Sequence, residues 1–251
     1  MKSKPTNKSK KTAPKPTGVR LNKYLSNAGI CSRREADTFI KLGMVQVNGA
    51  TVTTMGFRVQ PGDEVRYDGQ RIGAQKKVYV LLNKPKGFVA THQGGKIKRS
   101  IQELLTQAAP HAVPAFGEMG RQATGLLFCT NDEDLRKKMQ QSKKGIRMIY
   151  HIVLDKSFAK GDHSKLLEPQ ELYDSTYQLH KLTAIEDGKK NEVGLEAYSI
   201  SSQLIVKLFA KHNYKVTQID RVAFGGFTKK DLPRGNWRPL KENEVNFLRM
   251  L

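Results

Sequence analysis

Near the start of the chain, apolar residues recur with the spacing of an amphipathic helix. In the segment VRLNKYLSNAGI, the apolar positions are Leu21, Tyr24, Leu25 and Ala28, which fall at i, i+3, i+4 and i+7. Gly29 follows directly, and glycine readily adopts the left-handed conformation that ends many helices. The pattern therefore predicts a short helix with one apolar face that ends at Gly29.

A second helix and a hairpin are predicted immediately afterwards. Ser32 and Glu35 have the spacing of a capping box, in which each side chain accepts a hydrogen bond from the backbone N–H of the other residue. The helix SRREADTFIKLG then ends at Gly43. Alternating valines beside Asn48–Gly49 in MVQVNGATV predict a β-hairpin with a two-residue turn, and DEVRYDG predicts a further strand.

The longer remainder of the chain mixes strand-like apolar runs with helical segments. Strands are predicted in VYVLLNKP, GLLFCTND, MIYHIVLD, EAYSISSQLI and YKVTQIDRVAFGG, and helices in SIQELLTQAA and DEDLRKKMQQS. Because these elements do not alternate regularly, we expect an α+β fold whose sheet is mixed or largely antiparallel. The predicted organisation is a basic tail over residues 1–18, a small unit over 19–75 and a larger unit over 76–251.

The charge of the chain indicates a class of partner. The 251 residues include 44 Lys and Arg against 23 Asp and Glu, which gives a formal net charge of +21. A polyanion is the natural partner of so basic a chain, because the excess of like charges is otherwise repulsive. The tail MKSKPTNKSKKTAPKPTG contains no acid and no residues that could form a core. We therefore expect it to be disordered when free and to neutralise phosphates.

The sequence gives little support for a membrane protein, an exported protein or a metal-binding protein. No stretch approaches the roughly 20 apolar residues of a spanning helix, and no apolar segment follows the basic N-terminus as it does in a signal peptide. Cys31 and Cys129 lie in apolar surroundings without a CxxC spacing, which indicates reduced, buried thiols in a cytoplasmic protein. The six His lack the spacing of metal ligands, so no metal is expected.

Basic side chains mark candidate RNA-binding positions in both units. In the small unit, Arg33 and Arg34 fall in the first turn of the second predicted helix, Lys23 lies on the helix before it and Lys41 near its end. Arginine can bind a phosphate with two hydrogen bonds, and a helix N-terminus adds backbone N–H groups. A solvated charged face is the alternative interpretation. In the larger unit, the candidates in the NKPKG turn and the loop GGKIKRS are Lys84, Lys86, Lys96, Lys98 and Arg99.

The motifs of the small unit resemble those of a known RNA-binding module. The run LNKYLSNAGICSRREADTFIKLGMVQVNGATV, followed by PGDEV, closely resembles the alpha-L RNA-binding domain of the type found in ribosomal protein S-four. The SRREA core, the G-x-V-x-VNG hairpin and the later GDEV occur in the same order. The resemblance implies binding to structured RNA, the class of partner that the charge also indicates.

The larger unit resembles the RsuA/RluB-type bacterial ribosomal RNA pseudouridine synthases. The shared features are the NKPKG turn at residues 83–87, the closing segment YKVTQIDRVAFGGFTKKDLPRGNWRPL, and Tyr150, which matches the tyrosine that packs against the flipped uridine. With the alpha-L motif, the resemblance covers everything after the tail. It implies a carboxylate-dependent isomerisation of uridine that uses no metal and no organic cofactor.

The catalytic motif departs from the family at its centre. The family pattern G-R-L-D-x-x-T-S-G-L-L-L-L-T-N-D aligns without a gap on residues 117–132, GEMGRQATGLLFCTND, and places Gly120 at the essential aspartate. Glycine has no side chain that could act as a nucleophile or a base. Glu118, at the family's arginine position, is the nearest acid. It lies about 7 Å along an extended chain from Gly120, so it could substitute only after the loop rearranges.

A second family motif is altered as well. Residues 201–209 read SSQLIVKLF in place of the run R-N-R-Q-V-R-R-M-F, whose arginines partner the aspartate and the RNA. The apolar pattern that packs this element persists, whereas most of the arginines are gone. The resemblance therefore implies an altered pocket around Gly120, Arg121, Tyr150 and Lys207.

Three hypotheses about function follow. The favoured one is a catalytically inactive pseudouridine synthase homologue that binds ribosomal RNA, either on a ribosomal subunit or on its precursor, in ribosome assembly or on the ribosome. This protein would be a cytoplasmic monomer without a cofactor. The first alternative is an active synthase that uses a non-standard acid such as Glu118. The second is a general RNA chaperone that acts through charge alone.

Overall fold

The computed structural model describes residues 18–73, 76–90, 99–186 and 188–251. The candidate RNA-binding residues Lys96 and Lys98, and nearly all of the predicted basic tail, lie outside these described residues. The chain divides into two compact units, Met1–Gln75 and Lys76–Leu251.

The first unit combines two helices with short strands. Helices α1 and α2 span Leu21–Asn27 and Arg33–Lys41. Strands β3, β2, β5 and β6 form an antiparallel sheet in that order, and β1 pairs with β4. The apolar helix faces are buried against the strands, as the fully buried Leu25 shows. The bounds of β1 to β6 are Val19–Arg20, Val45–Val47, Ala50–Thr51, Arg58–Val59, Val65–Tyr67 and Gln70–Ile72.

The local predictions for the first unit are confirmed. The backbone N–H of Ser32 donates to Glu35 Oε2 over 2.8 Å, and the N–H of Glu35 donates to Ser32 Oγ over 3.3 Å, which completes the capping box at the start of α2. Asn48 and Gly49 have φ values of 52° and 80°, as a turn of the type favoured in two-residue hairpins requires. This turn joins β2 to β3.

The second unit contains the remaining helices and strands. Helices α3 to α7 span Ile101–Leu104, Glu133–Gln140, Asp162–Leu167, Ser202–Lys211 and Glu242–Met250. Strands β7 to β11 span Tyr79–Lys84, Thr124–Thr130, Arg147–Leu154, Gln170–Leu172 and Ser175–Tyr177. Strands β12 to β16 span Lys181–Ala184, Glu192–Tyr198, Val216–Phe224, Phe227–Thr228 and Trp237–Pro239.

One large sheet organises this unit. Its strands follow the order β12-β13-β9-β14-β8-β7-β16, and β15 pairs with β14. The pairing of β14 with β8 is parallel, and the other pairings in the sheet are antiparallel. Strand β8 is buried from Gly125 to Thr130, because elements pack on both of its faces. The predicted α+β fold with a mixed sheet is confirmed.

One predicted strand is wrong in its second half. The segment EAYSISSQLI begins in β13, but that strand ends at Tyr198 and helix α6 begins at Ser202. The side chain of Ser201 accepts a hydrogen bond from the backbone N–H of Leu204 over 3.2 Å. This N-cap starts the helix, although the apolar alternation of the segment favours a strand.

Asp132 is the N-cap of α4, since its side chain accepts a hydrogen bond from the backbone N–H of Leu135 over 3.2 Å. The prediction that both thiols are buried is confirmed for Cys129 and wrong for Cys31, which is half-buried. Within the described ranges, no helix is long and apolar enough to cross a membrane.

Candidate functional site

The most unusual side chain of the second unit is Arg221, on β14. It is 1% exposed, and its guanidinium carbon lies 5.6 Å from the centre of the Tyr150 ring and 5.7 Å from that of Phe224. Within the described part of the chain, its Nε and Nη1 atoms have no hydrogen-bond partner. A buried cation without a counter-charge is costly, so this arginine marks a candidate functional site.

Close contact between two backbones fixes the position of Arg221. It is paired with Gly125 of β8 in the parallel part of the sheet. Gly125 has a φ of +104°, and a Cβ added there would lie 2.3 Å from the Arg221 carbonyl oxygen and 2.5 Å from its nitrogen. Only glycine fits this close approach, which sets where β14 passes β8.

A cavity of about 340 Å³ opens beside Arg221. Phe116, Met148 and Leu204 line its apolar side, and Arg221, Ser201 and Glu118 are among its polar lining residues. Glu118, which the sequence suggests as a substitute acid, therefore faces the same cavity as the arginine. It is exposed, however, and does not provide Arg221 Nε or Nη1 with a hydrogen-bond acceptor.

Gly120 lies beside the start of α6. Its backbone N–H donates to Ser202 Oγ over 3.1 Å. A Cβ at this position would be 3.5 Å from Gln203 Cγ and 3.9 Å from Ser202 Oγ, which are ordinary van der Waals distances. A side chain therefore fits at position 120, and the absence of a carboxylate there is a property of the sequence, not a steric demand of the fold.

The carboxylate that neighbours Arg221 in sequence is committed to other partners. Asp220 accepts hydrogen bonds from Thr124 Oγ1 and Arg234 Nη1, each over 2.7 Å, and forms an ion pair with Lys229. Burial alone would raise the pKa of Asp220, but the hydrogen bonds from Arg234, Lys229 and Thr124 outweigh it and hold the pKa at about 2. A carboxylate so strongly stabilised as the anion is a poor general base near neutral pH.

The structure corrects the expectation that Lys84 lies in an exposed turn available to RNA phosphates. Its side chain is fully buried, and its Nζ donates to the carbonyl oxygens of Phe88 and Pro85 over 2.7 Å and 3.2 Å. Burial lowers the pKa of Lys84 to about 8, and the positive charges of Arg121, Arg221 and Arg234 add to this effect. Lys84 is therefore an internal cation near three arginines, of which Arg221 is buried and Arg121 and Arg234 are exposed.

Other basic residues do surround the NKPKG turn. Arg121 Nη1 donates to the carbonyl oxygen of Gly87 over 3.0 Å, and the Gly87 N–H donates to the Arg121 carbonyl oxygen over 2.8 Å. Arg99 Nη1 lies 3.5 Å from where a Cβ of Gly87 would be. Together with the exposed Lys86, these arginines form a basic turn cluster, defined here as Lys86, Arg99 and Arg121.

Two further residues were expected in the altered pocket. Tyr150 lies beside Arg221, and Lys207 lies away from it. The Tyr150 hydroxyl donates to the Ile200 carbonyl oxygen over 3.0 Å, and burial raises the pKa of this tyrosine. Lys207 is exposed, bonds the Tyr173 hydroxyl and lies 4.3 Å from the centre of the Tyr173 ring. The expectation that Lys207 lines the pocket is therefore corrected, because α6 directs Lys207 towards the β10–β11 hairpin.

The small unit exposes its predicted RNA-binding side chains. Arg33 and Arg34 are exposed at the start of α2 and, within the described residues, form no ion pair or side-chain hydrogen bond. Lys41 is exposed at the end of the same helix, and Lys23 is half-exposed on α1. These positions leave the two arginine side chains available to an external anion.

Two family comparisons fit these features. The first unit matches the S4 domain over residues 19–65. The second matches the family described as RNA pseudouridylate synthase over residues 78–221. The chain therefore belongs to the RNA pseudouridine synthase family and carries an S4 RNA-binding domain.

Similar proteins span nearly the whole chain. An uncharacterized RNA pseudouridine synthase of Aquifex aeolicus is 30% identical over 235 residues, covering 93% of this chain and 97% of that protein. The dual-specificity RNA pseudouridine synthase RluF of Escherichia coli K12 is 29% identical, covering 91% of this chain and 78% of that protein. Ribosomal large subunit pseudouridine synthase B of Bacillus subtilis is 27% identical, covering 92% and 96%.

A solved structure has the same fold. A crystal structure of a pseudouridylate synthase superimposes with a TM-score of 0.65 at 20% identity, covering 92% of this chain and all of that chain.

Sequence reasoning did not find Arg221 or Asp220 as members of the site. The alternation of side chains along β14 could have indicated that Arg221 is buried. Arg221 lies on the same face of the strand as Ile219 and Ala223, which are both buried. No comparable signal was present for Lys84. Its burial depends on the carbonyl groups of the turn that follows it.

Proposed function

We propose that this chain is a non-catalytic member of its family that binds ribosomal RNA and acts in ribosome assembly or on the ribosome. The observation that carries the proposal is the buried Arg221, whose Nε and Nη1 have no partner while Gly120 occupies the family's carboxylate position. Position 120 has no carboxylate to start the detachment of uracil from its ribose, and Glu118, an acid that lines the cavity, gives Arg221 Nε and Nη1 no hydrogen-bond acceptor.

The choice of ribosomal RNA as the partner rests on three observations. The small unit is an S4 domain with exposed arginines at the start of α2. The net charge of +21 favours a polyanion. The Bacillus subtilis relative is named as a ribosomal large subunit pseudouridine synthase. The protein is proposed to act as a monomer.

One observation favours the alternative of an active enzyme. Glu118 lines the same cavity as Arg221, so a rearranged loop could bring a carboxylate to that arginine. In this case the Glu118→Gln variant would lose activity that the unmodified chain possesses. In the proposed function there is no activity to lose.

The proposed function is tested by mapping pseudouridine in the ribosomal RNA of cells with and without the gene. We expect identical maps, together with crosslinks between the protein and ribosomal RNA. A pseudouridine that disappears on deletion, and returns with the unmodified gene but not with Glu118→Gln, would contradict the proposal and support the alternative enzyme.

Restoring the family's acid provides a second test. The Gly120→Asp variant is expected to fold, with a gain of about 0.5–1 kcal/mol in the free energy of unfolding, since a carboxylate beside the start of α6 is favoured by the helix dipole. It is expected to form no pseudouridine, because Gln203, Val206 and Lys207 occupy positions of family arginines. Release of radiolabel from uridine-labelled RNA measures pseudouridine formation directly. Full turnover by Gly120→Asp alone would show that the missing arginines of residues 201–209 are not needed for catalysis.

A further inference from the structure

The large sheet of the second unit has two edge strands. Among the described residues, β12 and β16 stand at the ends of its strand order, and each is paired on one side only. Strand β16 contains Pro239, which has no backbone N–H to offer a further strand. Strand β12 reads KLTA and contains no proline, so its outer edge can accept another strand.

One backbone carbonyl of β12 is bonded by a side chain from outside the sheet. His163, an exposed residue of α5, places its Nε2 atom 2.9 Å from the Leu182 carbonyl oxygen. The imidazole thus substitutes for the backbone N–H that an added strand would offer. An exposed side chain changes rotamer within nanoseconds, so this carbonyl can exchange the imidazole for a partner.

A cavity of about 440 Å³ lies along β12. Leu182 and Ala184 of β12 line it, and Phe158 and Val193 complete its apolar side. Phe158 packs against Tyr214, whose ring centre lies 5.3 Å away. Alternate side chains of an extended strand point to the same face, so a strand added beside β12 can place apolar side chains in this cavity.

The rim of this cavity is basic. Lys160, Lys189 and Lys190 line it, and all three are exposed. The one acid among the described lining residues, Glu192, lies 3.0 Å from His151 Nε2. This charge favours an acidic partner. It disfavours a second copy of the chain, because pairing two β12 strands would bring the two sets of lysines together.

We infer that β12 and the cavity beside it bind an extended acidic peptide segment of a partner protein. The segment adds to the sheet along β12, places apolar side chains in the cavity and sets its carboxylates against Lys160, Lys189 and Lys190. The residues that line this cavity are all different from those that line the cavity beside Arg221, so the inference goes beyond the proposed function and does not depend on it.

Titration calorimetry of the full chain with synthetic peptides tests this inference. The probe is acetyl-EVEFEVE-amide, in which acidic and apolar residues alternate as in a strand with one apolar face. We expect a Kd of about 10–100 µM, which suits a contact of a few residues. The basic counterpart acetyl-KVKFKVK-amide should bind at least about tenfold more weakly, and so should the acidic peptide methylated on every backbone nitrogen, which offers β12 no N–H.

Two variants assign the binding to this edge of the sheet. Ala184→Trp fills the cavity from an exposed position of β12, and the double variant Lys189→Glu, Lys190→Glu reverses the charge of the rim. Each should weaken binding of the acidic peptide about tenfold. The matched control is Lys143→Glu, Lys144→Glu, an exposed pair after α4 that does not line the cavity, and it should bind as the unmodified chain does. Thermal unfolding checks the fold of each variant, and the methylated peptide reports on the edge of β12 if Ala184→Trp fails to fold.

Three results would overturn the inference. One is the absence of binding of the acidic peptide. Another is equal affinity for the methylated and unmethylated peptides, which would show that no strand is added to β12. The third is a double variant Lys189→Glu, Lys190→Glu that binds the peptide as the unmodified chain does but binds a uridine oligonucleotide more weakly, which would assign the rim to RNA. None of these measurements involves pseudouridine formation, so failure of this site and failure of the proposed function are distinguishable.

Discussion

Replacing Arg33 and Arg34 together with glutamine is expected to weaken binding to a folded ribosomal RNA fragment by about 100-fold. Each exposed arginine can make a charge-assisted contact with phosphate, and two contacts of about 1.5 kcal/mol each amount to about 3 kcal/mol. The slope of log affinity against log salt should also become less steep by about 1.5–2, since two phosphates are no longer neutralised. Filter binding or fluorescence anisotropy over a salt series measures both quantities.

The matched control removes the same charge from another part of the small unit. Arg66 and Arg71 both pair with Glu64, at 2.7 Å and 3.6 Å, so their replacement by glutamine should weaken RNA binding far less. An unstructured single strand serves as the second substrate. If the Arg33 and Arg34 variant loses equal affinity for the folded and the unstructured RNA, binding depends on charge alone, and the RNA chaperone hypothesis is favoured.

Asp220→Asn is expected to lower the free energy of unfolding by about 2–3 kcal/mol, and Tm by about 5–10 °C for a unit of this size. The variant keeps the shape of the side chain but removes the carboxylate that neutralises Lys229 and Arg234. The loss is larger than for an exposed ion pair, because Asp220 itself is only 13% exposed. Calorimetry or chemical denaturation near neutral pH gives the value.

The pH dependence of the stability difference shows whether the Asp220 carboxylate is its cause. Its pKa is about 2 in the folded chain against an ordinary value of 3.8, so its charge contributes about 2 kcal/mol that is fully present above pH 4. This contribution is lost as the pH falls from about 4 towards 2, and the difference in stability between the unmodified chain and Asp220→Asn should narrow over that window. Asp231→Asn removes the same charge from an exposed position and should show neither effect. A difference that stays constant down to pH 2 would show that the pKa of Asp220 is not depressed.

Local signals in the sequence were sufficient to predict the start of α2 and the hairpin turn of the small unit. Ser32 with Glu35, and Asn48 with Gly49, each specify a hydrogen-bonding pattern or a backbone conformation within a few residues, and the structure has both. The segment around Ser201 shows the limit of this reasoning, because its apolar alternation favours a strand while its serine favours a helix start. The side-chain cap at Ser201 decides the outcome.

The site was harder to predict because its geometry depends on contacts between distant segments. The motif alignment identified Gly120 directly, and Tyr150 does lie next to Arg221. The burial of Lys84, however, follows from the way its ammonium bonds the carbonyl of Phe88. Lys207 likewise turns away from the cavity because Tyr173, on a separate hairpin, offers a ring and a hydroxyl.

The contact between Gly125 and Arg221 has a consequence for how this protein can change over time. The arginine is held by its own backbone against a glycine that tolerates no side chain, and not by any ion pair with a catalytic acid. A substitution at position 120 therefore leaves the Arg221 backbone, from which the side chain enters the site, held against Gly125. The fold thus separates the placement of Arg221 from the identity of residue 120, so the side chain at position 120 can vary without disturbing the pairing of β14 with β8.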